Sequence, residues 1–148
     1  MLSHASQYAI RAILYLAQNS SSSHKISALM IANELETPKP FLSKLLRQLA
    51  LNNLVSSTKG PHGGFFLSEL NKEKRLWDVV VCIDGGNKFS ECFLGLPQCS
   101  SKNPCPFHNI VVPFRESLAS SFKQKNIQEL IEAMEIDKTL ISLKGLDI

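Results

Sequence analysis

Residues 91–108 read ECFLGLPQCSSKNPCPFH and gather Cys92, Cys99, Cys105 and His108 into one short segment, while the remaining cysteine, Cys82, lies outside it. Three thiols and an imidazole are a donor set that suits zinc or an iron-sulfur cluster. Gly95, Pro97, Pro104 and Pro106 exclude a regular helix or central strand, so the donors sit on a loop that can curl around an ion. The spacing Cys-x6-Cys-x5-Cys-x2-His differs from the paired Cys-x2-Cys of compact zinc ribbons, which weighs against a structural zinc. Two other readings stay open: thiols that pair reversibly on oxidation, and a surface loop that holds no metal. Cys82 lies in the apolar run LWDVVVCIDG, where a buried inert thiol beside a core Trp77 is expected. His4, His24 and His62 have no companions that would make a ligand set.

The chain that must position this loop has 148 residues, 44% of them hydrophobic and 20% charged, which suits a folded domain and excludes a disordered or fibrous one. No apolar run approaches the ~18 residues of a membrane span. The N-terminal apolar stretch is broken by Arg11 and lacks a small-residue cleavage site, so a soluble cytoplasmic protein is expected. A reducing compartment favours metal or redox cysteines over a disulfide framework. The net charge of +3 is unevenly placed: residues 1–70 carry six Lys/Arg against three Asp/Glu, and residues 71–148 carry ten against ten. From Thr37 to Ser68 there are four basic residues and no acidic one, which marks a surface for a polyanion.

Helical periodicity places a first helix from Leu2 to Gln18, with Ser3 as its cap and Ala5, Ala9, Ala12, Ile13, Leu16 and Ala17 on its apolar face. Ile26 and Ser27 read as the staple and cap of a second helix ending near Leu35. Thr37-Pro38 is expected to cap and open a third, running to about Asn52, with Pro40 harmless in its first turn. On that helix Phe41, Leu42, Leu45, Leu46 and Leu49 share one arc, and Lys39, Ser43, Lys44, Arg47 and Gln48 the other. Such an outer face can lie in a DNA major groove, Arg and Gln reading bases and Lys meeting phosphate.

Residues 54–68, LVSSTKGPHGGFFLS, read as a β-hairpin with a glycine-rich tip, a wing that brings Ser57, Lys59, His62 and Gly63 to the same polyanion. The tip lacks the GxxxxGK[ST] pattern, so a phosphate-cradling P-loop is not supported despite the glycines. Residues 76–83 fit a helix or a buried strand equally well. Ile110, Val111, Phe114, Leu118 and Phe122 stripe a helix over about 109–125 that a chain this small has little left to cover. The tail IQELIEAMEIDKTLISLKGLDI reads as one more helix and a weakly specified end.

SHASQYAIRAILYLA, ISALMIANELETPKPFLSKLLRQLALNNLVSS, KGPHGGFFLS and LWDVVVCIDGG, followed by the cysteine loop, resemble the Rrf-two (BadM-like) family of bacterial transcription regulators over roughly residues 2–127. The resemblance implies a homodimeric winged helix-turn-helix regulator, a repressor in preference to an activator, that binds a palindromic operator through a pair of third helices. It also implies a long C-terminal helix as the dimer element and a helix over residues 76–83. In the cluster-binding branch a histidine just after the third cysteine completes the ligand set, which here is His108. Some relatives use an acidic side chain near the N-terminus, where this chain has Gln7, a poor substitute. A 2Fe-2S cluster is then favoured over 4Fe-4S, with a zinc-stabilised or thiol-redox regulator as the alternative and an electron carrier or enzyme further off. The expected architecture is mainly α with a small β-hairpin wing: a winged helix-turn-helix unit over 1–70 and a sensor and dimerisation region over 71–148, packed together.

Overall fold

The computed structural model describes residues 2–137. It is a mainly α structure with a two-stranded wing, in the order α1 (His4–Asn19), α2 (Ala28–Glu34), α3 (Lys39–Leu51), β1 (Ser56–Thr58), β2 (Gly64–Phe66), α4 (Glu69–Lys72), α5 (Leu76–Asp84), α6 (His108–Gln124) and α7 (Ile127–Asp137). Residues 138–148, the expected weak end of the tail, lie outside the described residues.

Each of the first helices starts where its sequence offers a partner to an orphan amide. Ser3 Oγ accepts from Ser6 N–H at the head of α1, and Ser27 Oγ accepts from Met30 N–H at the head of α2. The head of α3 corrects the expectation that Thr37 caps it. Pro38 occupies the cap position and has no side-chain acceptor to offer, while Thr37, one position too early, donates its amide to the Ala32 carbonyl and closes α2 after a left-handed Glu36 (φ 53°). Pro40, in the first turn, has no N–H to satisfy. Leu42, Leu46 and Leu49 are buried in one cluster with Ala9, Ala12, Ile13 and Leu16 of α1 and Ile31 of α2, and Leu45 is buried as well. At about 1.5–3 kcal/mol for each large side chain removed from water, that face fixes the rotation of α3.

The wing pairs Ser56 with Phe66 and Thr58 with Gly64, antiparallel. It is also tied to the segment before α2: Ile26 N–H donates to Phe65 O at 2.9 Å, and Phe65 N–H to Ile26 O at 2.8 Å. Gly64 permits this approach, since a Cβ there would lie 2.8 Å from the Ile26 carbonyl oxygen. Behind the wing, buried Asn71 accepts from Ser56 Oγ and Ser68 N–H and donates to Asn53 O, closing the base of the hairpin.

The ambiguous run 76–83 is helical, as α5, its Val79 and Val80 fully buried. Trp77 is half-buried rather than core. It stacks on Phe89 with ring centroids 5.5 Å apart, and Lys123 sits over its ring at 4.5 Å. Cys82 likewise is half-buried, because it lies on the edge of α5 beside α3, where Asn52 Nδ2 approaches its sulfur at 3.3 Å. Burial raises its thiol pKa above the ordinary range. α6 buries none of its residues, with Ile110 61% and Phe114 74% exposed, whereas α7 returns Ile127 and Ile131 to the core.

Asp84, at the end of α5, accepts from Ser6 Oγ at 2.8 Å, from Ser3 N–H at 3.2 Å and from Ser3 Oγ, pinning α5 to the head of α1. Burial pushes its carboxyl pKa up, but these hydrogen bonds and Lys88 prevail and hold it below the usual value. The stabilisation is therefore present above the unfolded carboxyl value near pH 4 and is lost as pH falls through the lower folded value. Asp84→Asn is expected to cost about 1 kcal/mol at pH 7, after allowance for solvent screening, and less below pH 4. Urea unfolding at the two pH values checks this.

Candidate metal centre and nucleic-acid interface

The loop 85–107 between α5 and α6 carries the thiols. Short turns shape it, including Gly95 N–H to Cys92 O at 2.9 Å and His108 N–H to Cys105 O at 3.0 Å, with Gly95 supplying a left-handed φ of 70°. The sulfurs of Cys92, Cys99 and Cys105 all lie within 4.8 Å of one another. Cys92 and Cys105 are 3.8 Å apart, and His108 Nδ1 is 3.3 Å from Cys99 Sγ. Three of the predicted donors, the cysteine sulfurs, thus converge, and His108, the first residue of α6, reaches one of them, Cys99. The three sulfurs fit a thiophilic group, with no carboxylate among them.

The electrostatics favour the anionic form at one end. Amide N–H groups of Leu96 and Leu94 donate to Cys92 and lower its thiol pKa to about 7. At Cys99 the Cys105 N–H donates at 3.4 Å, which favours the thiolate, but burial and the neighbouring sulfurs of Cys92 and Cys105 win and raise its pKa. An open depression of about 400 Å³ beside Cys99 and Cys105, lined also by Leu96 and Pro104, leaves the group reachable from solvent.

The second candidate surface lies between α3 and the wing, a groove of about 580 Å³. It brings together Ser43 and Arg47 of α3 with Ser57 and Lys59 of the wing. Lys39, Lys44 and His62 are exposed outside its lining, while Gln48 is half-buried and its carbonyl faces Cys82 of α5. Gly63 serves the turn itself: an added Cβ would meet the Thr58 carbonyl oxygen at 2.3 Å.

A family model described as "Iron-dependent Transcriptional regulator", Rrf2, matches residues 2–133. The chain belongs to the Rrf2 family. It is 32% identical over 131 residues to a protein of Aquifex aeolicus named as an HTH-type transcriptional regulator, covering 87% of this chain and 90% of that one. It is 26% identical to the HTH-type transcriptional regulator IscR of Klebsiella pneumoniae, with 91% and 82% covered. Among solved structures, CymR of B. subtilis superposes with a TM-score of 0.69 at 17% identity, covering 90% of this chain and 97% of that one. IscR of T. potens superposes with a TM-score of 0.68 at 19% identity, covering 95% and 93%. The fold is the winged-helix fold of those regulators, and this Rrf2 member is a DNA-binding transcription regulator rather than an enzyme. Among the described residues no helix is long and apolar enough to cross a membrane.

Sequence reasoning missed the groups that hold the loop. Phe89 is buried between Trp77 and Phe122, and Arg115 Nη1 donates to the carbonyls of Ser90, at 3.2 Å, and Glu91. An aromatic two positions past Gly-Gly-Asn and a lone arginine on an otherwise apolar-striped helix were the signals available. In metal-free protein, Cys92 should alkylate with iodoacetamide ahead of Cys99, with a half-maximal rate near pH 7, read by mass spectrometry of the modified peptides.

Proposed function

We propose that this Rrf2-family regulator binds a palindromic operator as a homodimer in the cytoplasm, acting as a repressor whose affinity is switched by an iron-sulfur cluster at Cys92, Cys99, Cys105 and His108. The observation that carries the reading is the convergence of three sulfurs, with the His108 imidazole 3.3 Å from one of them, on a loop that runs directly into α6. A 2Fe-2S cluster is preferred to 4Fe-4S because a histidine ligand is a familiar variation of the smaller cluster. When bound, the group supplies a redox-sensitive fastening of four points on one loop.

The chain's own residues do the rest. Arg47 and Ser43, facing the groove beside the wing, reach base edges, while Lys39, Lys44, Lys59 and His62 meet phosphates. Gln48, Ser57 and Gly63 complete the proposed DNA surface. The exposed Ile110 and Phe114 of α6 support a second copy of the chain as its cover. Because the loop leads into that helix, its order bears on the spacing of the two α3 helices. The 3.8 Å approach of Cys92 to Cys105 favours a thiol-redox regulator as the second reading, with zinc as a third.

Arg47→Ala should cost about 1–3 kcal/mol of operator binding and relax sequence preference, whereas Lys59→Ala should weaken all sequences alike and lower the salt slope by roughly one. Half-sites should lie about 10 bp apart, or a multiple. A selection that returned random DNA would count against the interface.

Anaerobic reconstitution should give a coloured protein with stoichiometric iron and sulfide. Cys92→Ala, Cys99→Ala and Cys105→Ala should abolish it, His108→Ala should leave it labile, and Cys82→Ala should preserve it. Operator affinities of loaded and unloaded dimers should differ about 5- to 150-fold, and equal affinities would reject the switch.

A further inference from the structure

His108 and Arg115 lie seven residues apart on α6, two helical turns, and so share one face. His108, which follows the cysteine loop directly, meets its middle through Cys99 at 3.3 Å. Arg115 meets its entry: Nη1 donates to Ser90 O at 3.2 Å and to Glu91 O, and Cys92 is the next residue. The loop is therefore pinned to a single helix face near its entry and at its middle.

The guanidinium is half-buried, its Nε is enclosed without a hydrogen-bond partner, and no carboxylate among the described residues pairs with it. The Glu91 carboxylate binds Lys88 instead, at 3.2 Å. A charge placed there is held by main-chain carbonyls alone. Phe89, 6% exposed between Trp77 and Phe122, anchors the preceding residue. The strap from 88 to 91 is thus fastened to α5 and α6, and the first position beyond the last fastening is Cys92.

We infer that Arg115 is the positioning residue of the thiol group, setting the backbone from which Cys92 projects and tying displacement of the loop to displacement of α6. This rests on the reading of the loop as a ligand set. A guanidinium nitrogen with two N–H groups in a rigid plane can serve two neighbouring carbonyls, whereas the flexible ammonium of lysine supplies charge without that plane.

Cobalt(II) tests the inference without depending on which group the loop carries in the cell, because its thiolate charge-transfer absorption reports the sulfurs directly. Arg115→Met and Arg115→Lys should each weaken cobalt binding about 10- to 100-fold, the usual loss when an outer partner of a ligand is removed. Unloaded variants should keep the operator affinity of the unaltered protein, since α3 and the wing are untouched, while the ratio of loaded to unloaded affinity should fall toward one. Unchanged cobalt affinity in both variants would overturn the inference. So would full rescue by lysine, which would make charge rather than the fork responsible. If the unaltered protein gave neither a thiolate-cobalt band nor iron and sulfide uptake, the ligand-set reading would fail and this inference with it, a result distinct from one confined to the variants.

Discussion

Burial of the Leu42, Leu45, Leu46 and Leu49 face of α3 is the constraint on which the rest of the molecule depends. A 13-residue helix with a leucine on nearly every inward position has one rotation that removes them all from water, and that rotation leaves Lys39, Lys44 and Arg47 outside. The basic face is the complement of the core face. The wing then follows, because Leu54 and Val55 are buried directly after α3 ends at a left-handed Asn53, and the chain leaves in the direction that places β1 beside Arg47.

The cysteine loop obeys a different physics. It exposes Phe93, Leu94 and Leu96 and has no core of its own, so neither hydrophobic burial nor a sheet ladder determines its path. Local turns, the ring stack of Phe89, and hydrogen bonds to carbonyls do so instead. Little of the fold's stability is at stake in the arrangement of such a segment.

Asp84 links the two halves. Its carboxylate joins α5 to the cap of α1, immediately before Gly85 and Gly86 release the chain into the loop. The start of the loop therefore departs from a fixed point beside α1, and its end enters α6, whose Ile110 and Phe114 are exposed among the described residues.

Residue pattern alone determined the caps at Ser3 and Ser27, the inward leucines of α3, the hairpin and the grouping of the three loop cysteines, because each depends on spacing along a helix or within a short loop. Family resemblance was needed to decide that 76–83 is a helix, since an eight-residue apolar run satisfies both periodicities. Tertiary structure alone decided what depends on neighbours distant in sequence. Pro38 rather than Thr37 took the cap position of α3, Cys82 and Trp77 came to half-buried places, and the Gln48 main-chain carbonyl met the Cys82 thiol. The bonds from Ile26 to Phe65, Ser3 to Asp84 and Arg115 to Glu91 cross 39, 81 and 24 positions, and no local pattern encodes a partner at that range.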